Sequence, residues 1–186
     1  MGRNDLKKLL DEKKRVKEKV FLKFWGKTPI KTPLLIIFAG EDQSAASRET
    51  LYQLLHGLTV LQVQVAVVSE QEPPAQDKSE GKFIWLNPKT SSPTQIDNWL
   101  TASDMALVFE EKQELLKKIF THGVIAIGHE KSPLLANYQP NEETGNSFTF
   151  KSSNPWDMFS ALVRAGETFR FPYDWQNVIR GILEVR

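Results

Sequence analysis

The chain has 186 residues, 40% hydrophobic and 25% charged, with a net charge of +1 and no cysteine. Such a length and composition fit one globular domain, or one domain with appended helices, around a real core. The absence of cysteine excludes disulfides, thiolate metal sites and a cysteine nucleophile, and no apolar run reaches the roughly eighteen residues of a membrane-spanning helix.

Charge is unevenly spread. Residues 1–31 carry eleven Lys/Arg against four Asp/Glu, whereas residues 32–186 carry thirteen against nineteen. A basic arm can meet nucleic acid or anionic lipid, but a solvated amphipathic helix is the simpler reading, and nucleic acid is not expected as a partner. Leu6, Leu9, Leu10, Val16 and Val20 recur at helical spacing with lysines between them. This predicts a helix lying on the domain with its charges outward. Residues 1–31 are expected to form a basic amphipathic helix and linker, and residues 32–186 the main domain. Met1 to Lys19 lacks the apolar core of a signal peptide, so a cytoplasmic location is the default expectation.

Thr28 to Pro33 is a Pro-punctuated connector. Leu34 to Phe38 is continuously apolar and suits a strand buried on both faces. Ser47 to Leu58 reads as a helix with Leu51, Leu54, Leu55 and Leu58 on one side. Val63 to Val68 is a second strand, Gln71 to Gly81 a polar loop, and Lys82 to Leu86 a third strand. Pro93 to Thr101 reads as a helix with Thr94 and Asp97 near its start. Met105 to Phe109 is a fourth strand, Glu110 to Thr121 a helix, and Val124 to Ile127 a fifth strand. Lys131 to Tyr138 reads as a short helix and Ser147 to Phe150 as a sixth strand. Two helices close the chain, Pro155 to Phe169 and Tyr173 to Val185, the first with Ser152, Ser153 or Asn154 as N-cap. Strands alternating with helices predict an α/β fold: a doubly wound, mostly parallel six-stranded sheet with helices on both faces.

Open α/β sheets bind ligands beyond the carboxyl ends of their strands, which directs attention to Gly40–Ser44, Ser69–Glu72, Glu110–Glu114 and Gly128–Ser132. The first turn matches neither G-x-G-x-x-G nor the P-loop pattern. It places Glu41 and Asp42 where a pyrophosphate needs amides or cations. Glu110, Glu111 and Glu114 follow the fourth strand; carboxylates there can hold sugar hydroxyls or move protons, or simply favour a helix N-terminus. The dipole reading is preferred for Glu111 and Glu114, while Glu110 abuts the strand end directly. His56, His122 and His129 stand in separate segments without metal-ligand spacing, so no metal site is expected. No serine elbow is present. The aromatic set Phe148, Phe150, Trp156, Phe159, Phe169, Phe171, Tyr173 and Trp175 is read as core before ligand platform.

Several segments carry a family resemblance. Gly145-Asn-Ser-Phe-Thr-Phe150, Asn154-Pro-Trp-Asp-Met-Phe-Ser-Ala-Leu-Val-Arg-Ala165, Glu167-Thr-Phe-Arg-Phe-Pro172 and Trp175-Gln-Asn-Val-Ile-Arg-Gly181 follow one another in the C-terminal third. Leu100-Thr-Ala-Ser-Asp-Met105, His122-Gly-Val-Ile-Ala-Ile127 and Glu142-Glu-Thr-Gly145 precede them. In this order they resemble the C-terminal, donor-binding lobe of the glycogen/starch synthase family of GT-B glycosyltransferases, over roughly residues 6 to 186. The resemblance implies a lobe that holds ADP-glucose or UDP-glucose, with glucan as acceptor. Of the family's donor residues, Gly40 is kept, but Glu41 stands at the position of an arginine and Ala46 at that of a lysine. Arg48 is the only nearby cation that can substitute. Glu110 falls on the family's donor-site glutamate, yet the glycine and Thr-Gln that follow it in the family are replaced by Glu111-Lys-Gln-Glu-Leu-Leu116.

The resemblance therefore implies Gly40, Arg48 and Glu110 as a vestigial nucleotide-sugar site, with no catalytic residue, no cofactor and no independent glucosyl transfer. Transfer also needs a second lobe to exclude water and place the acceptor. Such a domain either binds a protein partner or is part of a longer synthase-related protein; the alternatives are the donor lobe of a divergent active synthase and an unrelated doubly wound regulatory domain.

Overall fold

The computed structural model describes residues 3–26, 31–41, 44–71 and 81–185. Asp42, most of the loop from Gln71 to Gly81 and the first half of the Thr28–Pro33 connector lie outside these. Six parallel strands form one sheet: β1 (Leu34–Phe38), β2 (Gln64–Val68), β3 (Phe83–Leu86), β4 (Met105–Val108), β5 (Ile125–His129) and β6 (Ser147–Phe150). Their order is β3-β2-β1-β4-β5-β6, the doubly wound arrangement expected. Every neighbouring pair is parallel. Leu34 to Ile37, Val65 to Val67 and Met105 to Val108 are buried, as continuous apolar strands covered on both faces must be.

The connecting helices are α2 (Ala45–Leu58), α3 (Pro93–Ala102) and α4 (Gln113–Thr121), with α5 (Pro155–Phe169) and α6 (Pro172–Glu184) closing the chain. Side chains fix their starts. Ser44 Oγ accepts the Ser47 amide and Ser92 Oγ accepts the Gln95 amide, so Ser92 opens α3 in place of Thr94 or Asp97. Asn154 caps α5 through the Asp157 amide at 2.9 Å. These bonds satisfy N–H groups that the first helical turn leaves without partners.

Residues 131–138 are not helical. They form turns and an isolated bridge from Asn137 to Ser147. The reason is a long-range pin: Asn146 Oδ1 accepts the Ala136 amide at 2.9 Å, and its Nδ2 donates to the Leu134 carbonyl at 3.0 Å. The side chain thus holds the strand-preceding segment extended, and Pro133 removes one donor that a helix would need. Trp175, Phe148 and Phe150 enter the core as expected, but Trp156, Phe171 and Tyr173 are exposed.

The N-terminal helix α1 (Arg3–Trp25) packs along α3. Phe24 meets the buried Trp99 at 4.7 Å between ring centroids and Trp25 meets it edge-on at 6.0 Å. The expectation that every lysine of this helix faces solvent is corrected at two positions. Lys13 is buried, and its ammonium donates to the carbonyls of Ser103 (2.6 Å), His122 (3.1 Å) and Thr101 (3.3 Å). Those carbonyls close the ends of α3 and α4, where a helix leaves its last acceptors unpaired and slightly negative. Lys17 pairs with Asp104 at 2.6 Å, and Asp104 also accepts the Leu34 amide at the start of β1. Lys82 plays a similar part for α2, donating to the carbonyls of Leu58, Thr59 and Leu61. Helical spacing shows which residues share a face; it does not show that a helix C-terminus lies opposite.

Candidate functional site

A doubly wound sheet leaves a crevice where its strand order reverses. Here that point lies between β1 and β4, and the residues leaving those strands are Gly40 and Glu110. The ladder continues past the strand ends, with the Phe109 amide donating to the Phe38 carbonyl at 3.0 Å. The two segments therefore leave the sheet side by side.

Gly40 turns the chain with φ +79°, a backbone state that side chains with a Cβ rarely adopt. The turn aims the next amide at the neighbouring segment, and the Glu41 N–H donates to Glu110 Oε1 at 2.7 Å. The carboxylate lies so close that a Cβ on Gly40 would stand 2.6 Å from that same oxygen. Lys112 completes the group. Its ammonium is 2.6 Å from Glu41 Oε1 and 3.5 Å from Glu110 Oε2. The hydrogen bond to Glu41, then the charges of Glu41 and Glu110, raise the Lys112 pKa against a smaller opposing effect of burial.

Lys112 is the residue that sequence reasoning missed. A helix read from Glu110 to Thr121 gives it no role at the strand end. The helix begins only at Gln113, and the Lys112 amide donates back to the Glu110 carbonyl in a tight turn. The dipole reading of Glu111 is corrected for the same reason. Glu111 precedes the helix and its Oε1 accepts the His129 amide at 2.7 Å, joining the end of β4 to the end of β5. Only Glu114 lies in the first turn of α4.

Gly40 and Glu110, two of the three residues singled out in the sequence, are thus brought into contact. Arg48 is not joined to them: it is exposed in the first turn of α2, and no ion pair links it to Glu41 or Glu110 among the described residues. His129 accepts the Lys131 amide on Nδ1 and packs edge-on against Phe150. Among the described residues no group of three or more His, Asp or Glu is arranged to hold a metal ion. Among the described residues no helix is long and apolar enough to cross a membrane.

Chemically, the crevice has the outline of an anion site: a glycine turn, a backbone N–H and a nearby ammonium. Its anion position is taken by the protein's own carboxylate. Two carboxylates face one ammonium there, so a second anion arriving at this point meets repulsion of about 1 kcal/mol per charge pair in water and more where water is displaced.

No family model matches the chain. A stretch of 41 residues is 46% identical to glycogen synthase 1 of Synechocystis sp., spanning 22% of this chain and 9% of that protein. Among solved structures, the catalytic domain of starch synthase IV from Arabidopsis thaliana, bound to ADP and acarbose, superposes with a TM-score of 0.71 at 15% identity, over 94% of this chain and 39% of that one. The spinosyn forosaminyltransferase SpnP gives a TM-score of 0.54 at 14% identity, over 83% of this chain and 40% of that one. A structure of EarP-mediated arginine glycosylation of translation elongation factor EF-P gives 0.54 at 17%, over 94% of this chain and 64% of that one. The chain therefore spans well under half of the starch synthase structure, as one lobe of a two-lobed enzyme does. It has the Rossmann-like α/β fold of a GT-B lobe and resembles, in fold and in one stretch of sequence, the glycogen/starch synthases.

Proposed function

We propose that this chain is a glycogen/starch synthase-like domain of the nucleotide-sugar-binding type whose donor site is filled from within, so that on its own it transfers no glucose. A single contact carries the reading: Glu110 Oε1 on the Glu41 amide, flush against Gly40. A backbone N–H beside a glycine turn is what a donor diphosphate needs, and here the protein supplies the acceptor oxygen itself. Lys112, the cation at the mouth, is engaged by Glu41 and Glu110. Gly40, Arg48 and Glu110 remain as the vestige of a donor site, and the domain acts as a cytoplasmic binding module.

Isothermal titration of the chain with ADP-glucose and UDP-glucose tests this. The expected result is no heat of binding up to millimolar ligand. Micromolar binding of either nucleotide sugar would overturn the reading and favour the donor lobe of a divergent active synthase. The half-exposed Lys112 would then be the group that turns from Glu41 to the diphosphate.

A further inference from the structure

A second concavity lies between α2 and the first turns of α5. Its volume is about 450 Å³, and it shares no lining residue with the Gly40–Glu110 crevice. Small-molecule sites run from about 300 to 1,000 Å³, mostly apolar with a few placed polar groups. The α5 side is aromatic, with Trp156 and Phe159, and α2 adds Tyr52. Trp156, at the second position of α5, is 79% exposed. A tryptophan contributes little to a core from that position, and its broad apolar face is left to water.

The other side is polar. Glu49, Gln53 and His56 follow one another at the spacing of successive turns on α2, which puts them on one helical face. Gln53 Nε2 donates to Glu49 Oε1 at 2.6 Å, leaving further acceptor and donor capacity on both groups. Gly57 lets α5 approach closely, since a Cβ there would meet the Phe159 ring at 3.2 Å.

Charge narrows the class of ligand. No lysine or arginine is among the described lining residues, so a phosphate or carboxylate would meet Glu49 without a counter-ion. A wholly apolar ligand would cover Glu49, Gln53 and His56 without pairing them, at a desolvation cost. A ring with one C–H face and a rim of hydroxyls satisfies both sides. From these observations we infer that the concavity between α2 and α5 is a binding site for a neutral oligosaccharide, one sugar ring lying against Trp156 and its hydroxyls meeting Glu49, Gln53 and His56. This site does not depend on the donor-site reading, because it needs no nucleotide.

Titration calorimetry of the whole chain with maltoheptaose and with cellohexaose, in the absence of nucleotide, tests the assignment. Binding of at least one is expected, weakened roughly tenfold or more by Trp156→Ala and also weakened by Gln53→Ala. The melting temperature of the Trp156 variant should stay close to that of the parent, because the side chain is exposed. Failure of both oligosaccharides to bind would overturn the inference, as would binding indifferent to Trp156→Ala. Self-association abolished by Trp156→Ala in analytical ultracentrifugation would also overturn it, by showing that a second copy of the chain covers the face. Loss of nucleotide-sugar binding alone would bear only on the crevice.

Discussion

The ammonium of Lys13 lies 2.6 Å from the carbonyl oxygen of Ser103, inside the seam between α1 and the ends of α3 and α4. Burial, partly offset by Asp104, lowers its pKa to about 8 from 10.5. Below pH 8 the folded protein carries this charge at a cost. Between pH 8 and 10.5 the unfolded chain keeps a proton that the folded chain has released, so stability rises with pH through this window on account of this group. The full effect is about 3 kcal/mol. Urea denaturation of the parent and of Lys13→Met from pH 7 to 10.5 checks this: the stability of the parent relative to the variant should grow with pH. A constant difference would show that Lys13 keeps an ordinary pKa.

Lys82 holds the end of α2 through the carbonyls of Leu58, Thr59 and Leu61. Lys82→Met should lower stability by about 1–2 kcal/mol, the cost of leaving such acceptors unpaired. Amide hydrogen exchange should speed up in the last turn of α2 before it does so in β1. Uniform acceleration throughout the chain would contradict a local role.

Gly40 and Glu110 should be energetically coupled. Gly40→Ala brings two costs, the positive φ and the collision with the Glu110 carboxylate, together about 1–3 kcal/mol. Glu110→Ala removes only the second. In a double-mutant cycle the Gly40→Ala penalty should therefore shrink, but not vanish, when Glu110 is alanine. Strict additivity would mean that the carboxylate leaves the turn in solution.

At the crevice, Glu110→Ala should release both the Glu41 amide and part of the hold on Lys112. ADP, followed by NMR amide shifts, should then bind with a dissociation constant of roughly millimolar order, about −4 kcal/mol, where the parent shows no shift. The competing reading gives the opposite order, with the parent binding ADP and the variant losing it.

Much of this fold is written plainly in the residues. Leu34-Leu-Ile-Ile-Phe38 has no polar position to expose and, at five residues ending in Ala39-Gly40, suits an interior strand, and its bounds agree with β1. Pro155 and Asn154 mark the start of α5 by removing a donor and supplying an acceptor. The meeting of Gly40 with Glu110 followed from strand order, since the reversal point sets the exits of β1 and β4 together. The rest was hidden because it depends on partners far away in the chain. Lys13 finds its carbonyls 88 to 109 positions along. Asn146 holds a segment ten residues earlier out of a helix. Lys112 looked helical because nothing local says that the Glu110–Lys112 turn delays α4 until Gln113.

Because every strand runs the same way, the two ends of the sheet have separate occupations. The Lys13 and Asp104 fastenings sit where β1 and β4 begin, while Gly40 and Glu110 sit where they finish, about 16 Å away along a five-residue strand. Across that distance a pair of unit charges interacts by about 1 kcal/mol at an effective dielectric constant of 20, and by less through water. An engineer can therefore harden this scaffold from below through α1, and rebuild the recognition chemistry above, with little trade between the two.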